Sequence, residues 1–176
     1  MKDKIEALKI AYQTELDGYD FYQKSAKKCK NRLGKVIFDS LAKEEHGHIT
    51  MIKQIWDSLE KDEKWPELPK PEKDERVMPM EFDSIFKEAE KELDKNAAAD
   101  ADDIEAIKIA MDIESKGYDF YKKHEEEADN ELEKEFYSRI AEQESNHYKI
   151  LEETFEYLSN PSEWFSKKER PIFEGG

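Results

Sequence analysis

The chain has a single cysteine, Cys29, among its 176 residues. An internal disulfide and a Cys-x-x-Cys metal site are both excluded. Glycine and proline are scarce, six of each. Most of the prolines fall in one stretch, so little else interrupts long helices. No run approaches the ~18 apolar residues that a membrane-spanning helix needs. Positive charge is also short: 29 Lys and Arg face 44 Asp and Glu, for a net charge of −15. A nucleic-acid groove needs clustered cations to neutralise phosphates, and this balance argues against one. It equally disfavours an anionic membrane surface. The opening segment Met1-Lys2-Asp3-Lys4-Ile5-Glu6 has no apolar stretch. No signal peptide is therefore expected, and a cytoplasmic protein is the simplest expectation.

Against these absences, the apolar residues that are present fall at regular helical spacing. Residues 3–24 match residues 102–123 at an offset of 99, with 14 of 22 pairs identical. The heart of the match is Glu15-Leu16-Asp17-Gly18-Tyr19-Asp20-Phe21-Tyr22 against Glu114-Ser115-Lys116-Gly117-Tyr118-Asp119-Phe120-Tyr121. The same offset aligns Phe38–Leu59 with Tyr137–Leu158 without a gap. There residue type persists more than identity, and Glu45/Glu144 and His48/His147 are among the four identical pairs.

Each repeat reads as a helical hairpin. Leu8, Ala11, Tyr12, Glu15, Tyr19, Tyr22 and Ala26 share one face of a first helix. Phe38, Leu41, Ala42, Glu45, His48, Ile49, Ile52 and Trp56 share a face of the second. The turns are expected near Lys30–Gly34, with Asn31 and Gly34 as helix stoppers, and near Ala128-Asp129-Asn130. Between the repeats, Trp65-Pro66-Glu67-Leu68-Pro69-Lys70-Pro71 and Pro79 exclude helix interior. A short amphipathic helix is expected around Phe82–Leu93, and Asp100 or Asp102 should cap the third long helix. A connection of this length suits a crossover along a bundle better than a turn between neighbours. The expected organisation is an all-α four-helix bundle over 1–159, with hairpins 3–59 and 100–159 and a crossover over 60–99. A tail over 160–176 follows, in which Trp164 and Phe165 are placed to cover a bundle end.

Ionisable residues sit on the core faces. Glu15 falls among Leu8, Tyr12 and Tyr19, and Glu45 and His48 fall among Leu41, Ile49 and Ile52. Glu114, Glu144 and His147 repeat the arrangement. A buried carboxylate must be protonated, paired or bound to metal. Glu15 and Glu45 are equidistant from residue 30, and Glu114 and Glu144 from residue 129. Both midpoints lie in expected turns, so all four glutamates belong at one level of the bundle. In Glu45-His46-Gly47-His48 and Glu144-Ser145-Asn146-His147, each His shares a face with its Glu. One Glu from each of two helices and Glu-x-x-His from the other two is the ligand pattern of di-iron and di-manganese bundles. Four carboxylates and two divalent ions also sum to zero charge, which eases burial.

The ligand types suit iron or manganese, or a mixed pair. Glu44 is also one turn from His48, but its counterpart is Gln143, which favours Glu45 as the ligand. Tyr12, Tyr19 and Tyr118, with Tyr22 and Tyr121, are candidates for donors beside the ligands, with core packing as the competing account. His46 and His124 have no partner in the repeat and are expected at the surface. Cys29 is expected to be inert.

The units Glu15…Glu45-x-x-His48 and Glu114…Glu144-x-x-His147 resemble the rubrerythrin branch of the ferritin-like superfamily. The resemblance covers the four long helices. It implies terminal ligands at Glu15, Glu114, His48 and His147, with Glu45 and Glu144 bridging two iron ions. It implies reduction of hydrogen peroxide or dioxygen at a diferrous centre. Rubrerythrins usually carry a rubredoxin domain with four cysteine ligands. Here the single cysteine implies an external electron donor such as rubredoxin. They also carry a further glutamate where this chain has Gly117, so the set is more symmetric and closer to a bacterioferritin type. Iron storage with ferroxidase activity alone, and a helical interaction module with a vestigial site, are the alternative functions. A homodimer is expected, and the connection is long enough for hairpins to be exchanged between chains. The basic turn Lys27-Lys28-Cys29-Lys30 is a candidate dock for an acidic donor, although lysines at a helix C-terminus also complement its dipole.

Overall fold

Asn31 and Asn130, one repeat apart, start equivalent helices in the computed structural model, which describes residues 2–69 and 100–168. The Asn31 carboxamide accepts hydrogen bonds from the amides of Leu33 (2.8 Å) and Gly34 (3.2 Å). Asn130 accepts from Leu132 (2.9 Å) and Glu133 (3.3 Å). Each satisfies amides that a helix leaves without partners, worth about 1 kcal/mol per cap.

The described residues form five helices: α1 (Lys2–Lys28), α2 (Arg32–Asp62), α3 (Ala101–Glu127), α4 (Glu131–Ser159) and α5 (Pro161–Lys168). Asp100 caps α3 by accepting from the Asp102 amide at 3.1 Å. The first turn is tighter than the sequence reading placed it. Asn31 opens α2 instead of ending α1, and Gly34 lies inside its first turn. Gly34 is there for close packing: a Cβ would sit 2.8 Å from Cys29 Sγ. The helix expected around Phe82–Leu93 lies outside the described residues.

The hairpins α1–α2 and α3–α4 pack most closely within themselves, and α2 against α4 and α1 against α3 close the bundle. Lys4 near the start of α1 pairs with Asp129 and Glu133 in the second turn. At the other end of α1, the amides of Lys30 and Asn31 donate to the Asp103 carboxylate at the start of α3. So α1 and α3 run antiparallel. After α2, Trp65 is buried against Phe136 and Tyr137 near the start of α4. The chain therefore leaves α2 at one end of the bundle and enters α3 at the other. The connection must cover the length of a 27-residue helix, roughly 40 Å.

The core is in two parts. Around the first turn, Tyr22, Ile37, Phe38, Leu41, Ile107, Ile150 and Leu158 pack together, and α5 closes the end with Trp164 and Phe165. Around the second turn, Leu8, Ile52, Ile55, Leu59, Tyr121, Phe136 and Ile140 do the same. Each such aliphatic or aromatic side chain contributes about 1.5–3 kcal/mol by burial. Between the two clusters lies one level of the bundle that is not apolar.

Candidate metal centre

That level is made of Glu15 from α1, Glu45 and His48 from α2, Glu114 from α3, and Glu144 and His147 from α4. All six are buried. Each helix supplies its residues at core positions of its own apolar face, so folding gathers the six without any loop. The histidine rings stack across the level, 5.8 Å apart.

Both histidines turn Nδ1 inward. His48 Nδ1 lies 3.0 Å from Glu15, 3.2 Å from Glu45 and 3.4 Å from Glu144. His147 Nδ1 lies 3.2 Å from Glu114 and 3.5 Å from Glu45. The donor atoms form two groups, Glu15–Glu45–His48–Glu144 and Glu45–Glu114–Glu144–His147, each within 4.8 Å. Two ligands on opposite sides of one transition-metal ion stand about 4.2 Å apart, so a modest contraction fits each group to an ion. Glu45 and Glu144 belong to both groups. Glu144 Oε1 is buried and accepts no hydrogen bond. An oxygen left so is costly unless something else is coordinated there.

Contacts around the level cross between the hairpins. Tyr22 of α1 donates its hydroxyl to Glu114 of α3, and Tyr121 of α3 donates to Glu15 of α1. Burial, reinforced by the neighbouring carboxylates, pushes both phenols well above their ordinary pKa, so they remain neutral donors. The outward Nε2 of His48 meets Gln143 at 2.9 Å, and that of His147 meets Glu44 at 3.0 Å. With Nδ1 committed inward, each Nε2–H donates outward. Such partners fix the tautomer and ring orientation of a ligating histidine.

The five candidate tyrosines divide: two reach the carboxylates, and Tyr12, Tyr19 and Tyr118 have other surroundings. Tyr12 packs edge-on to Trp56, and Tyr19 takes a hydrogen bond from Gln23 at 2.6 Å. Tyr118 is 38% exposed. The donors to the carboxylates are Tyr22 and Tyr121, which sit two helical turns beyond the glutamates of their own helices and deeper in the core. His124 also departs from expectation. It is half-buried, 4.5 Å from the Phe120 ring and stacked on Tyr137, and burial lowers its pKa. Its helix face, shared with Phe120 and Tyr121, is the signal that was missed. His46 is exposed, as expected. Burial beside Asp103 pushes the Cys29 thiol up to about 12, so it keeps its proton.

Without an ion the level holds protons. Burial, then Glu45, raises Glu15 to about 8. Burial and the other three carboxylates raise Glu144 well above the carboxylate range. Burial also opposes ionisation of Glu45, but hydrogen bonds from Glu15, His147 and His48 outweigh it and hold Glu45 low. Burial works against charge on His48, yet Glu15 and Glu45 lift it to about 10. His147 is raised in the same way by Glu114. Among the described residues, the ion-pair partners of the four glutamates are these two histidines. Four acids sharing so few cations is a demand for positive charge.

The model of the Rubrerythrin family matches residues 6–155, across all four long helices. The chain belongs to the rubrerythrin family. A solved structure, of a hypothetical protein from Pyrococcus furiosus, is similar over 88% of this chain and 89% of that one, at 27% identity and a TM-score of 0.62. No curated protein sequence registers as a relative. The buried carboxylate–histidine level gives this rubrerythrin-family bundle two groups of side chains that could hold metal ions. Gly117, where rubrerythrins carry a further glutamate, has a structural reason here. A Cβ would meet Glu144 Oε2 at 2.4 Å, so the glycine leaves room for that carboxylate. Among the described residues, no helix is long and apolar enough to cross a membrane.

Proposed function

We propose that this chain is a di-iron oxidoreductase that reduces hydrogen peroxide or dioxygen with electrons from an external donor. The observation that carries the reading is the pair of donor groups overlapping at Glu45 and Glu144. Glu15 and His48 would hold one ion, Glu114 and His147 the other, with Glu45 and Glu144 between them. Bound iron would supply the electrons that break the oxidant's O–O bond. The chain's own residues do the rest. Tyr22 and Tyr121 hold the outer oxygens of Glu114 and Glu15. Gln143 and Glu44 hold the imidazoles. The apolar clusters above and below keep bulk water from the level. Ligands fixed this way need little reorganisation when the charge of the centre changes.

The donor belongs to the same proposal. Lys27 and Lys28 are exposed at the first turn and offer positive charge to an acidic electron-transfer protein such as rubredoxin. Lys30 is less available, since it pairs with Asp100 at 2.5 Å. A homodimer fits the paired apolar residues Ile10 and Ile109, both exposed and one repeat apart. The test is anaerobic loading with ferrous iron, followed by elemental analysis and then peroxide or dioxygen with reduced donor. Two irons per chain and sustained turnover are expected. Loading and a single oxidation without turnover would favour ferroxidase or storage chemistry, and a folded chain that binds no metal would overturn the reading.

A further inference from the structure

The repeat that builds the site symmetrically does not enclose it symmetrically. Ser115, beside Glu114 on α3, replaces Leu16, beside Glu15 on α1. Ser145, beside Glu144 on α4, replaces His46, beside Glu45 on α2. On the α1–α2 side, the Tyr19 ring lies 5.9 Å from His46 and its hydroxyl is tied to Gln23. On the α3–α4 side the two serines fill less space, and Tyr118, the counterpart of Tyr19, is the more exposed tyrosine. There the surface opens into a cleft of about 340 Å³ lined by Glu114, Ser115, Tyr118, Ser145, Tyr148 and Lys149. That volume is near the lower end for small-molecule sites. It admits a molecule of a few atoms with room to spare.

We propose that this cleft is the entry route for a small oxidant of the size of peroxide or dioxygen, and that Tyr118 is its gate. The inference rests on the metal-site reading given above and adds the direction of approach. Glu114 lines the cleft but has no exposed surface of its own. The last step inward therefore takes a side-chain movement, and a tyrosine exposed on a helix face reorients on a ps–ns timescale. On the α1–α2 side the same two positions carry the larger Leu16 and His46, and Tyr19 is held by Gln23 beside His46. Tyr118 thus acts on access and not on a ligand.

The test uses the full chain loaded with cobalt(II), which reports binding without redox turnover, and azide as the small probe. The azide association rate is read from the visible spectrum by stopped flow, beside metal content. Ser115→Leu with Ser145→His copies the bulkier side chains of the α1–α2 side onto the α3–α4 side. The double variant is expected to keep two metals per chain and to lose about tenfold or more in association rate. Tyr118→Ala is expected to raise the rate at unchanged metal content. Opening the mirror side with Leu16→Ser and His46→Ser in the plugged chain is expected to restore it. An unchanged rate in a plugged, metal-loaded chain would overturn the route while leaving the metal centre intact. Failure of the unmodified chain to bind cobalt would overturn the metal reading itself. If the double variant loads poorly, Ser115→Leu alone decides, since Ser115 is exposed and outside the ligand set.

Discussion

Glu44 Oε2 lies 3.0 Å from His147 Nε2, so a carboxylate of the first hairpin holds an imidazole of the second. The reciprocal contact is neutral: Gln143 holds His48. A carboxylate makes its histidine a more basic ligand than a carboxamide does. The ion at His147 should therefore be bound more tightly and favour the higher oxidation state. Two distinct iron environments are expected in Mössbauer spectra of the loaded protein. Glu44→Gln should bring them together and weaken one metal by about 10- to 100-fold. Unchanged spectra would show that the outer partner does not tune the ion.

The metal-free protein should lose stability as pH rises. Glu15 and His48 have folded-state pKa values of about 8 and about 10, above their ordinary values of 4.5 and 6.5. A proton held more tightly in the folded state stabilises it below the unfolded pKa. That stabilisation is lost as pH climbs through the folded pKa. Thermal unfolding of metal-free protein should therefore shift to lower temperature from neutral pH toward about pH 10. Metal loading must expel these protons, so the stabilisation by metal should grow over the same range. Proton release on loading, followed with an indicator dye, checks the same point.

Replacing Glu144 by Gln should separate stability from binding. In the absence of metal the variant removes one acid from a crowded, buried set, and stability at about pH 8 should be equal or higher. With metal present, the gain on loading should largely vanish, because Glu144 belongs to both donor groups. Calorimetry with and without ferrous iron measures both effects. A large loss of stability in the metal-free variant would contradict this account.

Gly18 and Gly117 are repeat partners with opposite tolerance. A Cβ at Gly18 would approach Glu45 no closer than 4.0 Å, whereas one at Gly117 would meet Glu144 at 2.4 Å. Alanine is the better helix former by about 1 kcal/mol. Gly18→Ala should therefore stabilise the protein with metal binding intact. Gly117→Ala should displace the Glu144 carboxylate and reduce metal affinity. Paired melting curves and metal titrations would show the split.

Much of the bundle was legible because the repeat can be read twice. Glu45 and Glu144 keep their identity where Trp56 has become Phe155, and their spacing from Glu15 and Glu114 fixes a common level. The family resemblance agreed with the fold. What was not legible was set by contacts between repeats. Periodicity puts five tyrosines on the core faces, and only the docking of the hairpins selects Tyr22 and Tyr121 by pointing each at the other hairpin's glutamate. Glu44 lies one turn from His48 on its own helix, yet the histidine it meets is His147 across the core. Periodicity shows which face is inward, but not which neighbour across the core it meets. The first turn was misplaced for a local reason: asparagine can end one helix or begin the next, and its carboxamide faces the amides of α2.

The crossed contacts have a bearing on how such a chain can change. If two identical hairpins paired about a twofold axis, every residue of one would meet its copy's partner in the same way. Any change at the outer histidine contact would then be made twice. In a single chain the two positions mutate separately, which is how Glu44 and Gln143, or Leu16 and Ser115, come to differ. Covalent joining of the halves thus frees each ion's surroundings, and each side of the bundle, to be altered alone. The two halves share a plan, and the division of labour between them lies in the few places where the copies disagree.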